Sequence, residues 1–111
     1  MRKCCQKYTG KRGEQSMEHI TSRQNALMTH IRKLNASRAY RRASGEYLCD
    51  GVNLLEEALR WNAQLKTVVL SEGVDVPVLP SGVRAVRVPV DVMRSISPME
   101  TPQGALFTVR L

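Results

Sequence analysis

From Ile20 to the last residue, segments with helical spacing alternate with short apolar, strand-like runs. That order restricts the chain to an α/β layer, because each strand must find its neighbours across an intervening helix. Thr21 or Ser22 is placed to cap a first helix running to about Ala36 or Ser37, with Leu27, Ile31 and Leu34 at i, i+4 and i+7 on one apolar stripe. A basic, partly helical connection follows and stops at Gly45. Glu46–Cys49 reads as a strand, and Asp50-Gly51 turns the chain into a second helix over about Val52–Trp61. Its apolar positions, Val52, Leu54, Leu55, Ala58, Leu59 and Trp61, make a stripe wide enough to pack well against a sheet. Leu65–Ser71 is β-branched and apolar, Glu72–Gly82 is a loop with two prolines, and Arg84–Val88 alternates as a half-exposed strand does. Asp91 can cap a short helix through Ile96, residues 101–104 form a turn, and Ala105–Leu111 is a last strand. The expectation is four strands in a mixed, mainly parallel sheet.

The 111 residues suffice for one domain with a modest core, built from Leu, Val, Ile and Met because aromatics are only 5%. No apolar run approaches a membrane span, and no apolar stretch follows the basic first residues as in a secretory signal. The charge is lopsided. Seventeen Lys and Arg oppose ten Asp and Glu, and eleven of the cations precede Glu46, where only Glu14 and Glu18 oppose them. A basic front on a near-neutral body suits a polyanion, most often nucleic acid; a solubilising tail is the plainer alternative. Residues 1–18 read as a disordered basic extension and residues 19–111 as the folded domain, with Met17 an alternative start. Three cysteines cannot all pair, no C-x-x-C occurs, and His19 and His30 lack zinc-ligand spacing, so a reducing cytoplasm fits best.

Arg32, Lys33, Arg38, Arg41 and Arg42 fall within eleven residues without an acid among them. Phosphate recognition needs several cations on one surface, and the planar guanidinium binds two oxygens at once. Tyr40, among the arginines, is placed either to stack on a base or to pack at the edge of the core. His30, beside Leu27 and Leu34, reads as a packed, hydrogen-bonded histidine rather than a ligand or a base. Asp50, Glu56 and Glu57 suit a turn and an exposed helix face better than acid–base work, with Glu56 and Arg60 spaced to pair at i, i+4. Gly10-Lys11-Arg12-Gly13 lacks the spacing of a phosphate loop, and no G-x-G-x-x-G occurs. The residues describe a binding module without a visible reaction centre.

Ile20-Thr21-Ser22-Arg23-Gln24-Asn25, the helix ending Arg32-Lys33-Leu34, Arg41-Arg42, Gly45–Gly51, Leu54–Leu59 and Glu100-Thr101-Pro102-Gln103-Gly104 occur in this order. Together they resemble the N-terminal substrate-binding domain of the SpoU/TrmH family of RNA methyltransferases, over roughly residues 20–111. The resemblance implies a three-layer α/β/α sandwich similar to kink-turn-binding ribosomal proteins. It also implies a parent enzyme that moves a methyl group from S-adenosylmethionine to a ribose 2′-hydroxyl of rRNA or tRNA. In that family the catalytic residues, the cofactor site and the homodimer belong to a C-terminal knotted domain, so no catalytic, cofactor or metal residue is expected in this chain. The expected RNA contacts are Arg23, Asn25, Arg32, Lys33, Arg38, Tyr40, Arg41 and Arg42. The alternative is a stand-alone structural RNA-binding protein of the ribosomal type. Two features depart from the family pattern, the extension 1–16 and the short loop 72–82, where relatives often have a helix.

Overall fold

The computed structural model describes residues 17–75, 77–97 and 104–110. In chain order the elements are β1 (Glu18–His19), α1 (Ala26–Ala36), α2 (Arg38–Ser44), β2 (Glu46–Asp50), α3 (Val52–Arg60), β3 (Leu65–Ser71), β4 (Arg84–Val88), α4 (Val90–Ile96) and β5 (Ala105–Arg110). The strands form one sheet in the order β1-β4-β3-β5-β2. The sheet has five strands where four were expected. The added strand is two polar residues long, and only its parallel backbone pairing of Glu18 with Val86 and His19 with Arg87 marks it. Glu18, read from the sequence as the end of the extension, is in the sheet, and Met17 packs against the core. The rest of the expected extension lies outside the described residues.

The sheet is evenly mixed rather than mainly parallel. β1–β4 and β4–β3 are parallel, whereas β5 runs antiparallel to both of its neighbours, β3 and β2. The strand patterns were apolar enough to predict burial, but alternation carries no information about direction.

Helices cover both faces, giving the three layers expected. On one face Leu27, Met28 and Ile31 of α1 and Val92, Met93 and Ile96 of α4 pack on Val69, Val86, Val88 and Leu106. On the other, α3 contributes Leu55 against Leu65, Val68, Leu70, Phe107 and Val109, with Leu79 of the 72–83 loop closing the same cluster. The α3 stripe is narrower than expected. Leu55 is its buried residue, and Leu54 and Trp61 are 45% and 77% exposed.

The helix ends follow from local chemistry. Asn25 caps α1, its Oδ1 accepting the Leu27 N–H at 2.8 Å, so the helix starts later than a Thr21 or Ser22 cap would place it. Ser37 ends α1 and caps α2, accepting the Tyr40 N–H at 3.1 Å. Gly45 stops α2 at φ +73°, in the left-handed region that glycine enters without a Cβ penalty.

Candidate nucleic-acid interface

The register places the first residues of β2, β3 and β4 and the last residue of β5 at one end of the sheet, with Glu46 opposite Arg110 and Thr67 opposite Arg84. The C-terminal ends of α2 and α3 lead into β2 and β3, so they lie at this end too. Lys33, Arg38, Arg41, Arg42, Arg60, Lys66, Arg84 and Arg110 are gathered there. The strand-borne carboxylates at this end, Glu18 and Glu46, are both engaged. Glu18 holds Arg84 through contacts of 2.6 and 3.0 Å, and these hydrogen bonds draw its carboxyl below the ordinary range. Asp50, Glu72, Asp75 and Asp91 lie at or beyond the C-terminal ends of β2, β3 and β4, at the opposite end.

A polar network fixes α2 to the body of the domain. Glu46 is buried and accepts from His30 Nε2 at 2.9 Å and from Lys66 Nζ at 3.2 Å. A carboxylate only accepts, so Nε2 carries the proton donated to Glu46, while Nδ1 and the Tyr40 hydroxyl share a hydrogen bond of 2.7 Å. Tyr40 also meets the His30 ring edge-on at 5.4 Å, and the Lys33 ammonium sits 5.6 Å from the centre of its ring. Burial alone would raise the Glu46 carboxyl; the Lys66 and His30 contacts outweigh it and hold it below the usual carboxylate range. One chain of contacts therefore runs α2–α1–β2–β3, and the predicted packed role of His30 is its centre.

The expected RNA-binding residues divide into three groups. Arg38 and Arg42 are exposed, and their side chains make no hydrogen bond or ion pair among the described residues. Lys33 is exposed over Tyr40, and Tyr40 is half-buried with its hydroxyl occupied, which is the core-edge arrangement. Arg41 is half-buried, and its guanidinium donates to the Leu34 and Asn35 carbonyls at the end of α1. It keeps its charge but serves as a cap. Arg23, Asn25 and Arg32 lie towards the other end. Arg32 reaches back to the Arg23 carbonyl, Arg23 pairs with Asp91 at 3.4 Å in an exposed contact, and the Asn25 side chain is committed to its cap. None of Lys33, Arg38, Arg41 and Arg42 is paired with a carboxylate among the described residues. The Glu56–Arg60 pair read from the spacing is not formed.

Reasoning from the sequence missed Lys66 and Arg110, because single cations in apolar strands carry no local signal. A shallow depression lined by Asp50, Gly51, Asn53, Leu54 and Glu57 is acidic, the wrong sign for phosphate. Among the described residues no cluster of His, Cys, Asp and Glu could hold a metal ion, and no helix is long and apolar enough to cross a membrane.

Solved structures of methyltransferases share the fold. The rRNA methyltransferase from Sinorhizobium meliloti has a TM-score of 0.71 at 19% identity, covering 87% of this chain and 38% of its own; that protein has also been solved with AdoMet bound. An RNA 2′-O ribose methyltransferase has a TM-score of 0.69 at 24% identity, over 83% of this chain and 37% of that one. The SpoU methyltransferase AviRb from Streptomyces viridochromogenes has a TM-score of 0.60 at 17% identity, over 78% and 33% respectively. The chain thus spans well under half the length of the proteins it superposes on. Among curated sequences, none matches. A family model, the MRM3-like substrate binding domain, matches residues 25–106, from the cap of α1 into β5. The chain belongs to the MRM3-like substrate binding domain family.

Proposed function

We propose that this domain holds RNA for a methyltransferase of the SpoU/TrmH type, gripping phosphates with the cationic end of the sheet. The observation that carries the reading is the pair Arg38 and Arg42, exposed and without a carboxylate partner among the described residues, on a helix locked to the body through Tyr40, His30 and Glu46. Unpaired guanidinium groups on a fixed helix lose little freedom when they meet phosphate oxygens. Transfer of the methyl group from S-adenosylmethionine to a ribose 2′-hydroxyl is the finer part of the reading, supported by a fold neighbour with AdoMet bound and by another that is an RNA 2′-O ribose methyltransferase. Chemistry carried outside these residues, a homodimeric parent enzyme and a cytoplasmic site of action complete the proposal. Within this chain the domain's own work is to bind and orient RNA.

Titration of a labelled rRNA or tRNA fragment at several salt concentrations tests this. Contact with about four to six phosphates gives a slope of log K against log[salt] of roughly −3 to −4 for unpaired RNA. Replacing Arg38 and Arg42 together with Ala should weaken binding about tenfold and flatten the slope by about 1.4, with the circular dichroism unchanged. An affinity indifferent to salt, or to loss of both arginines, overturns the assignment.

A further inference from the structure

We infer that Trp61 and Tyr47 form a stacking platform for unpaired RNA bases, carrying the interface from α2 around the end of the sheet to the α3 face. The inference rests on the RNA-binding reading above and adds a second contact surface to it. Trp61 is 77% exposed although it closes an apolar helix. Its backbone is held firmly. The Trp61 N–H donates to the Glu57 carbonyl at 2.9 Å, the Ala63 N–H to Ala58 at 2.9 Å and the Asn62 N–H to Leu59 at 3.3 Å. Asn62 sits at φ +58° between them, which makes this a closed left-handed helix stop. The indole is thus presented to solvent from a fixed point, in line with low entropic loss on stacking.

Tyr47 is 42% exposed. It lies two residues before Cys49, whose side chain packs in the α3-side cluster, so strand alternation puts Tyr47 on the α3 face as well. Glu46 pairs with Arg110 in the register, and the Arg110 N–H donates to the Gln64 carbonyl at 3.0 Å, so both aromatics belong to the cationic end. Around Trp61 in sequence, Arg60, Asn62 and Gln64 are exposed, as is Glu57 one turn earlier, and Ala63 is half-buried. Arg60 precedes Trp61 and Arg110 follows the strand partner of Tyr47, so each aromatic has a cation beside it, and single-stranded nucleic acid stacks its bases on such faces while its phosphates are neutralised. The exposed Leu54 is two turns away, beside the acidic depression of Asp50 and Glu57.

Trp61 is the single tryptophan of the chain, so its fluorescence reports on the site directly. The probe is a labelled RNA hairpin with an unpaired loop, followed by anisotropy and by tryptophan emission in one titration. Binding should quench the emission. Trp61→Ala should weaken the complex about tenfold, Trp61→Phe should retain most of the affinity, and a fully paired duplex should bind without quenching. RNA binding with unchanged emission and an unchanged Trp61→Ala affinity overturns the platform while leaving the RNA reading intact. Failure of both hairpin and duplex to bind overturns the two together. Emission that shifts with protein concentration alongside a dimer mass in ultracentrifugation assigns the indole to a protein contact and also overturns the platform.

Discussion

The Glu46 carboxylate receives the His30 imidazole and the Lys66 ammonium while almost wholly removed from water. Its carboxyl is held below the ordinary range in the folded chain, despite burial, by those two partners. The linkage sign follows. The stabilisation is fully present above the carboxylate value of the unfolded chain and is lost as the pH falls through the lower, folded-state value. Wild-type protein should therefore lose about 1 kcal/mol more than Glu46→Gln as urea unfolding is followed from about pH 7 to about pH 3. Parallel curves for the two would show that the carboxylate contributes nothing. At this scale the sequence was legible where a residue's neighbours in the helix decided its fate. His30 was readable as packed from the adjoining Leu27 and Leu34. Its partners Tyr40 and Glu46 were not, because they approach from ten and sixteen residues away through a fold still to be formed. Asn25 was taken for an RNA contact, yet it stands immediately before the first helical residue, a position whose chemistry favours a cap.

Among the elements, β5 depends on how it is entered. Gly104 precedes it at φ +92°, and its carbonyl accepts the Ser71 N–H at 2.9 Å. A Cβ there would lie 2.7 Å from Val74 Cγ2 and 3.0 Å from Ser71 Oγ. Gly45 also has a positive φ, but a Cβ at that site meets nothing within 4 Å. Gly104→Ala should accordingly cost about 2–4 kcal/mol and Gly45→Ala about 1 kcal/mol, measured as shifts in the denaturation midpoint at constant m-value. Equal losses would mean that the crowding at Gly104 relaxes freely. Residues 98–103, which include most of the turn read from Thr101-Pro102-Gln103-Gly104, lie outside the described residues. The longer helices and the strands β2 to β5 were legible from periodicity. β1 was not, since two polar residues have no period and only pairing makes them a strand. The α3 stripe was overread for a related reason. Apolar spacing says that a helix has a face, but the area of sheet beneath it decides how much of that face is covered.

Over the molecule as a whole, unopposed positive charge collects at one end of the strands, while at the other Arg23, Arg32 and Arg87 lie among the carboxylates. Cations gather where β2, β3 and β4 begin, and Asp50, Glu72, Asp75 and Asp91 stand where they end. Composition revealed an excess of positive charge in the first half of the chain, but the half-and-half division in sequence is not the division in space. Arg23 and Arg32 fall away from the cationic end, while Lys66 and Arg110, from the near-neutral half, join it. Replacing Arg23 or Arg94 with Ala should thus leave RNA affinity within about twofold, since phosphate contacts beyond a Debye length are screened. A loss matching that of the Arg38 and Arg42 pair would place the binding surface elsewhere. The position of Arg41 bears on how any such mutagenesis is interpreted. Its guanidinium plugs the open carbonyls of Leu34 and Asn35. An alanine there loosens the joint between α1 and α2, so a weakened complex would register a swivelling of Arg38 and Arg42 as readily as a missing contact. Arg41→Lys, which leaves the charge but not the fork, tells the two apart.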